Sequence, residues 1–178
     1  MGLCGSASLW AIIALVVAII AMILDIVGVA TISWMVYQIT TNSIRVGLFR
    51  MKSCVAKACT EGDVNSGFKD ANFTATQGFE ILALILLLLA PIALCVYVCV
   101  RSMRGTCLAY TAMIMLFTAA FFCFVGMICW LSYVPDPYVV SYSLGLTVIA
   151  AILACIAGLL IIPEVLDDGR QVTPNRRF

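Results

Sequence analysis

Four long apolar runs, at about residues 8–33, 79–100, 106–131 and 142–162, leave this chain few ways to fold. A helix needs about 20 apolar residues to cross a hydrocarbon core roughly 30 Å thick, and every run reaches that length. With 64% of its 178 residues hydrophobic and 11% charged, a soluble domain of this size has too little interior for so much apolar surface. The lipid bilayer is therefore the expected solvent. The first run is too long for a signal-peptide core and no Lys or Arg precedes it, so it reads as a retained span.

The expected organisation is a single membrane domain over residues 1–178, with a first outer loop at 34–78, a second at 132–141 and a tail at 163–178. An even number of spans puts both termini on one side. Arg101 and Arg104 in the shortest connection, with Arg170, Arg176 and Arg177 in the tail, make that side cytosolic by the positive-inside rule. The basic residues of the long loop (Arg45, Arg50, Lys52, Lys57, Lys69) weigh less, because a loop of that length translocates largely regardless of charge. The fourth run carries Ala150, Ala154 and Gly158, a ridge of small residues for close helix approach. The expected fold class is thus mainly α, a left-handed four-transmembrane-helix bundle carrying a small extracellular antiparallel β-sheet from the first loop. Trp10, Trp130, Tyr133 and Tyr138 fall near span ends, as interfacial anchors do, and Pro163 is expected to close the fourth span.

Histidine is absent, which removes the commonest general base, the usual haem ligand and most zinc sites. A net charge of +1 argues against a nucleic-acid partner. No enzyme activity, cofactor or metal is expected.

The nine cysteines divide by compartment. Cys54 and Cys59 lie in the outer loop, where a bridge persists, and a disulfide there pins a tight hairpin; the alternative is two free thiols. Cys123, Cys129 and Cys155 read as small apolar packers. Cys95, Cys99 and Cys107 flank the Arg101/Arg104 turn, where palmitoylation is chemically open to them. The N-terminal sequence Met1-Gly2-Leu3-Cys4-Gly5-Ser6 fits a myristoylation pattern with a palmitoylatable Cys4, although a four-span protein gains little from another acyl chain.

Asp25 lies inside the first run, about two turns from its outer end, and must face the bundle and find a hydrogen bond. Glu80, at the outer mouth of the second run, needs less explanation. One acid without a companion makes a poor ion path, so a structural hydrogen bond to a neighbouring helix is expected.

In the outer loop, Trp34–Thr40 and Ile44–Lys52 are rich in β-branched and aromatic residues and read as strands, with Gly47 breaking the register and Thr41-Asn42-Ser43 supplying a turn. Glu61 to Gly67 reads as loop. Asn72-Phe73-Thr74 is a glycosylation sequon about six residues before the second span, close to the reach of the glycosylating enzyme.

The order Trp34, Gly47-Leu48-Phe49, Cys54 and Cys59 resembles the signature of the claudin, peripheral myelin protein and epithelial membrane protein superfamily, and the resemblance covers the whole chain. Gln77 matches a further family position. Phe49 stands where the family usually has Trp, and only four residues separate Cys54 from Cys59, which implies a shortened hairpin tip. Asp25 ahead of Trp34, with the acidic stretch from Glu164 to Asp168, is similar to the PERP-like branch. The resemblance implies a multi-pass plasma-membrane protein at cell–cell junctions. Its partners would be the bilayer and copies of itself or related claudin-like proteins, in cis or in trans. Trp34, Leu48 and Phe49 would seat the sheet on the helix tops, and a pore lined by the loop would lean toward anions. The competing expectation is an auxiliary subunit of a channel or receptor. The tail ends Asn175-Arg176-Arg177-Phe178, without the PDZ ligand such subunits often carry. A four-helix redox enzyme needs a Cys-x-x-Cys pair that the chain lacks, and a tetraspanin or connexin would place its loops or cysteines differently.

Overall fold

The computed structural model describes residues 8–39, 42–55, 58–100 and 106–171. The motif around Cys4, Thr41 of the expected turn, Lys57, the Arg101/Arg104 turn, the Arg170 side chain and residues 175–178 lie outside the described residues and side chains.

Four long helices form the body: α1 (Leu9–Ala30), α2 (Ala71–Cys99), α3 (Thr106–Tyr133) and α4 (Tyr142–Gln171). Each is long and apolar enough to cross a bilayer. α1 packs chiefly on α4 and α2 on α3, while α3–α4 and α1–α2 contacts close the ring. On α1 the buried residues include Ala11, Ala14, Ala18, Ala21, Asp25 and Gly28. These alternating steps of three and four residues are the 3.5-residue period of helices packed at a shallow angle. The same period runs along α4 through Thr147, Ala150, Ala154, Ala157 and Ile161. The opposite face of α1 exposes Leu9, Ile13, Val16, Ile20, Ile23 and Val27. Small residues and a carboxylate inside, with branched aliphatics outside, invert the soluble pattern. They match a bundle solvated by hydrocarbon.

Two helix boundaries differ from the expectation. α2 begins at Ala71, eight residues before the apolar run at 79, because Thr74 N–H reaches Asp70 O at 3.0 Å and Phe73 is buried against the other helices, so polar residues continue the helix. α4 runs through Pro163 to Gln171, so Pro163 does not close it. Proline lacks only its own N–H, and the helix beyond it is held by Glu164, which accepts hydrogen bonds from Ser8 Oγ and, at 2.9 Å, from Tyr97 Oη.

The loops build one antiparallel sheet, in the order β4-β3-β2-β1-β5. Its strands are β1 (Met35–Ile39), β2 (Asn42–Val46), β3 (Arg50–Val55), β4 (Ala58–Asp63) and β5 (Val139–Val140). Three features correct the sequence reading. The stretch from Ile44 to Lys52 is two strands separated at Gly47–Phe49, not one. Glu61, Gly62 and Asp63 belong to β4 rather than to a loop, since Arg50 to Lys52 pair with them. The sheet also takes a strand from the second loop, Val139–Val140, which pairs with Met35 and Val36.

Candidate functional site

The sheet is bolted to the helices through Trp34. α1 ends at Ala30; the Thr31 N–H bonds Val27 O at 3.1 Å and its Oγ1 donates to Gly28 O at 3.1 Å. Trp34 then turns back, and its Nε1–H donates to the same Gly28 carbonyl at 2.9 Å. Its fully buried ring meets Trp130 edge-on at 5.1 Å. Trp130 in turn contacts Phe73 at 5.5 Å and Tyr133 at 5.9 Å. Trp130 is therefore not an interfacial anchor: it is 0% exposed and forms the floor under the sheet. Trp10, 52% exposed, keeps the outward position expected of an anchor.

The Trp34 backbone also joins both loops. Its N–H bonds Val46 O at 3.0 Å, and its C=O accepts from Ser141 N–H at 3.1 Å. Leu48 is fully buried, and its carbonyl accepts from Gln77 Nε2 at 2.5 Å. Gly47 is needed for space, because a Cβ there would lie 2.8 Å from Ile32 Cα and 2.8 Å from Thr31 O. Phe49 differs from its expected seating role: it stays 43% exposed and joins neither buried cluster. Farther out, Tyr133 Oη donates to Phe68 O at 2.6 Å, and the Tyr138 ring meets Phe68 edge-on and Tyr37 at a tilt.

Strand alternation gives the sheet two unlike faces. Met35, Ile44, Val46 and Met51 share the face toward the helices, where Met35 and Val46 are fully buried. The other face carries the row Arg45, Lys52 and Glu61, directly opposite one another across three strands. Lys52 Nζ reaches Glu61 Oε1 at 2.8 Å and holds that carboxyl below the usual carboxylate range. Cys54 and Cys59 face each other in register on this same outer face and are joined as a disulfide. All six residues of the free edge strand β4 are exposed.

Asn72 is exposed in the first turn of α2. At the far end of the bundle Cys95, Cys99 and Cys107 are all exposed, with the sulfurs of Cys95 and Cys99 4.0 Å apart.

Inside the bundle the structure overturns one expectation. Asp25 is not a lone acid: Glu80 and Cys123 converge on it, the three donor atoms lying within 4.8 Å of one another. Cys123 Sγ donates to Asp25 Oδ1 at 3.8 Å, joining helices α1 and α3 across the ring. Glu80 is 0% exposed, nine residues inside α2 rather than at its mouth. Neither of its oxygens, nor Asp25 Oδ2, has a hydrogen-bond partner. Gly126 makes the room, since a Cβ there would stand 2.7 Å from Glu80 Oε1. Sequence reasoning missed Glu80 because the apolar run began beside it, and only the earlier start of α2 sets its depth. Compared with known proteins, the chain matches no family model and no curated protein sequence.

Proposed function

We propose that this chain is a claudin-like cell-contact protein of the plasma membrane, with cytosolic termini, that binds neighbours through its outer sheet. Four helices able to span a bilayer support the multi-pass placement. The observation that carries the reading is the contrast within the sheet. Its inner face is locked to the helices through Trp34, Leu48 and Gln77. Its outer face and edge strand β4 are polar, exposed and pinned by the Cys54–Cys59 bridge. A rigid platform with a free edge loses little conformational entropy on meeting a partner, so it is suited to contact.

The test is to image a tagged copy in an epithelial sheet beside a Cys54→Ser/Cys59→Ser variant. Enrichment of the intact protein at cell–cell borders, reduced in the variant at equal surface level, is the expected result. A diffuse surface signal, with a large channel or receptor co-purifying in fixed ratio, would replace contact with an auxiliary-subunit role.

A further inference from the structure

The sheet accounts for the outer residues but leaves Asp25, Glu80 and Cys123 without a task. We propose that these three side chains form an intramembrane binding site for one divalent transition-metal ion of the zinc class. The inference is independent of the contact reading.

Geometry is the first support. The donors come from α1, α2 and α3, and the Asp25–Cys123 contact crosses the ring, so they meet near the bundle axis. Donor atoms within 4.8 Å of one another approach the spacing around a single ion. Zinc sits about 2.0–2.3 Å from carboxylate oxygen and thiolate sulfur, so closing the site takes side-chain shifts under about 1 Å.

Unmet valence is the second. Glu80 is fully buried with both carboxylate oxygens unpartnered, and Asp25 Oδ2 is likewise buried and unpartnered. The buried polar side chains among the described residues are Asp25, Ser33, Thr76, Glu80, Ser143 and Thr147, with no Lys or Arg to compensate. Two carboxyl groups in a low-dielectric interior must be neutralised, by protons or by a cation. A dication held by one carboxylate and the Cys123 thiolate is charge-balanced and uses the sulfur, which neutralisation by protons alone leaves idle.

The donor set selects the ion. Calcium takes six to eight oxygens and magnesium keeps an octahedron of them; two carboxylates and a sulfur suit a softer, four-coordinate ion. Three protein ligands leave a fourth position for water. If Cys123 binds as thiolate beside one carboxylate, two protons leave as the dication enters and the site stays neutral. The surroundings look built for this occupant. Gly126 clears the space beside Glu80, and Thr76 Oγ1, one turn before Glu80, bonds Gly126 O at 3.2 Å and so holds α2 against α3 at this level. Phe73 and Trp130 lie seven residues from Glu80 and Cys123 toward the sheet, roughly 10 Å along each helix, and cap the site from that end. The lack of His argued against zinc, but it argued only against imidazole ligation.

The test uses the full-length protein in lipid nanodiscs, loaded with zinc and dialysed, with metal counted by mass spectrometry; cobalt alone then serves as an optical probe. The expected result is one zinc per chain and a thiolate-to-cobalt charge-transfer band. Zinc affinity should fall at least about tenfold in Glu80→Gln, in Cys123→Ser and in Asp25→Asn. Gly126→Ala retains every ligand yet crowds Glu80, and it should weaken binding while the helical circular dichroism stays unchanged. Cys95→Ser/Cys99→Ser should bind as the parent does. Failure of the parent to retain zinc, as a site for protons alone would show, overturns the proposal. So does binding that survives Glu80→Gln/Cys123→Ser, or that is lost with the Cys95/Cys99 pair.

Discussion

Replacing Gly47 by Ala tests whether the sheet is held against the helices by close backbone packing. The new methyl carbon would stand 2.8 Å from Ile32 Cα, 2.8 Å from Thr31 O and 3.1 Å from Arg50 O. All three are backbone atoms, so no side chain can swing aside, and ordinary carbon contacts of about 3.5–4.0 Å require a separation of about 0.7 Å or more. Gly47 has no positive φ, so the effect is spatial and not conformational. Overpacking of this kind costs about 1–3 kcal/mol. The shift also strains the Gly47 N–H to Arg50 O bond, 2.9 Å long, whose loss adds about 1 kcal/mol. The total of about 2–4 kcal/mol lowers the unfolding midpoint by roughly 4–16 °C for a chain of this size. Thermal unfolding of the detergent-solubilised protein, followed by circular dichroism, measures it. Gly78→Ala is the control: a Cβ there meets nothing within 4 Å on α2, and it should stabilise the helix by about 0.5–1 kcal/mol. Equal midpoints for the two variants would refute the packing argument.

Other perturbations follow from the same geometry. Trp34→Phe deletes the bond to Gly28 O and part of the contact with Trp130, costing about 2 kcal/mol in the same melt, whereas Trp34→Ala should cost about 3–5 kcal/mol. Cys54→Ser/Cys59→Ser opens a ring of about six residues and should cost about 2 kcal/mol, with proteolysis between the two sites rising; unchanged proteolysis would mean the hairpin needs no clamp. Glu61 is held below its ordinary carboxylate value by Lys52, so its contribution is present above that value and lost as the pH falls through the lowered one. The midpoint difference between the parent and Glu61→Gln should therefore shrink on acidification from about pH 6 to about pH 3, and a constant difference would contradict the pairing.

The elements readable in the sequence were those specified locally. Four apolar runs became four helices, β-branched and aromatic residues within 34–40 and 44–52 became strands, and Cys54 and Cys59 are joined as a disulfide. What escaped depends on contacts between distant segments. β4 contains Glu61, Gly62 and Asp63, residues of loop character, and is a strand only because β3 pairs with it. Pro163 looked like a stop, but Ser8 and Tyr97, from α1's start and from α2, hold Glu164 beyond it. Trp130 sits where an interfacial aromatic belongs, and only the return of Trp34 onto it makes it core. The same holds for Asp25: its companions lie 55 and 98 residues away, and no local pattern joins them.

The two residues of β5 set an order of assembly. Strands β1 to β4 emerge with the first two helices, but the outer edge of β1 stays unpaired until the second loop follows α3. Ser141 and Ser143 complete the backbone bonds of Trp34 and Ser33 only when α4 is in place. The platform is completed only after α3 has been made, so a ribosome stalled after Tyr133 would leave an open strand edge where chaperones or stray sheets could add.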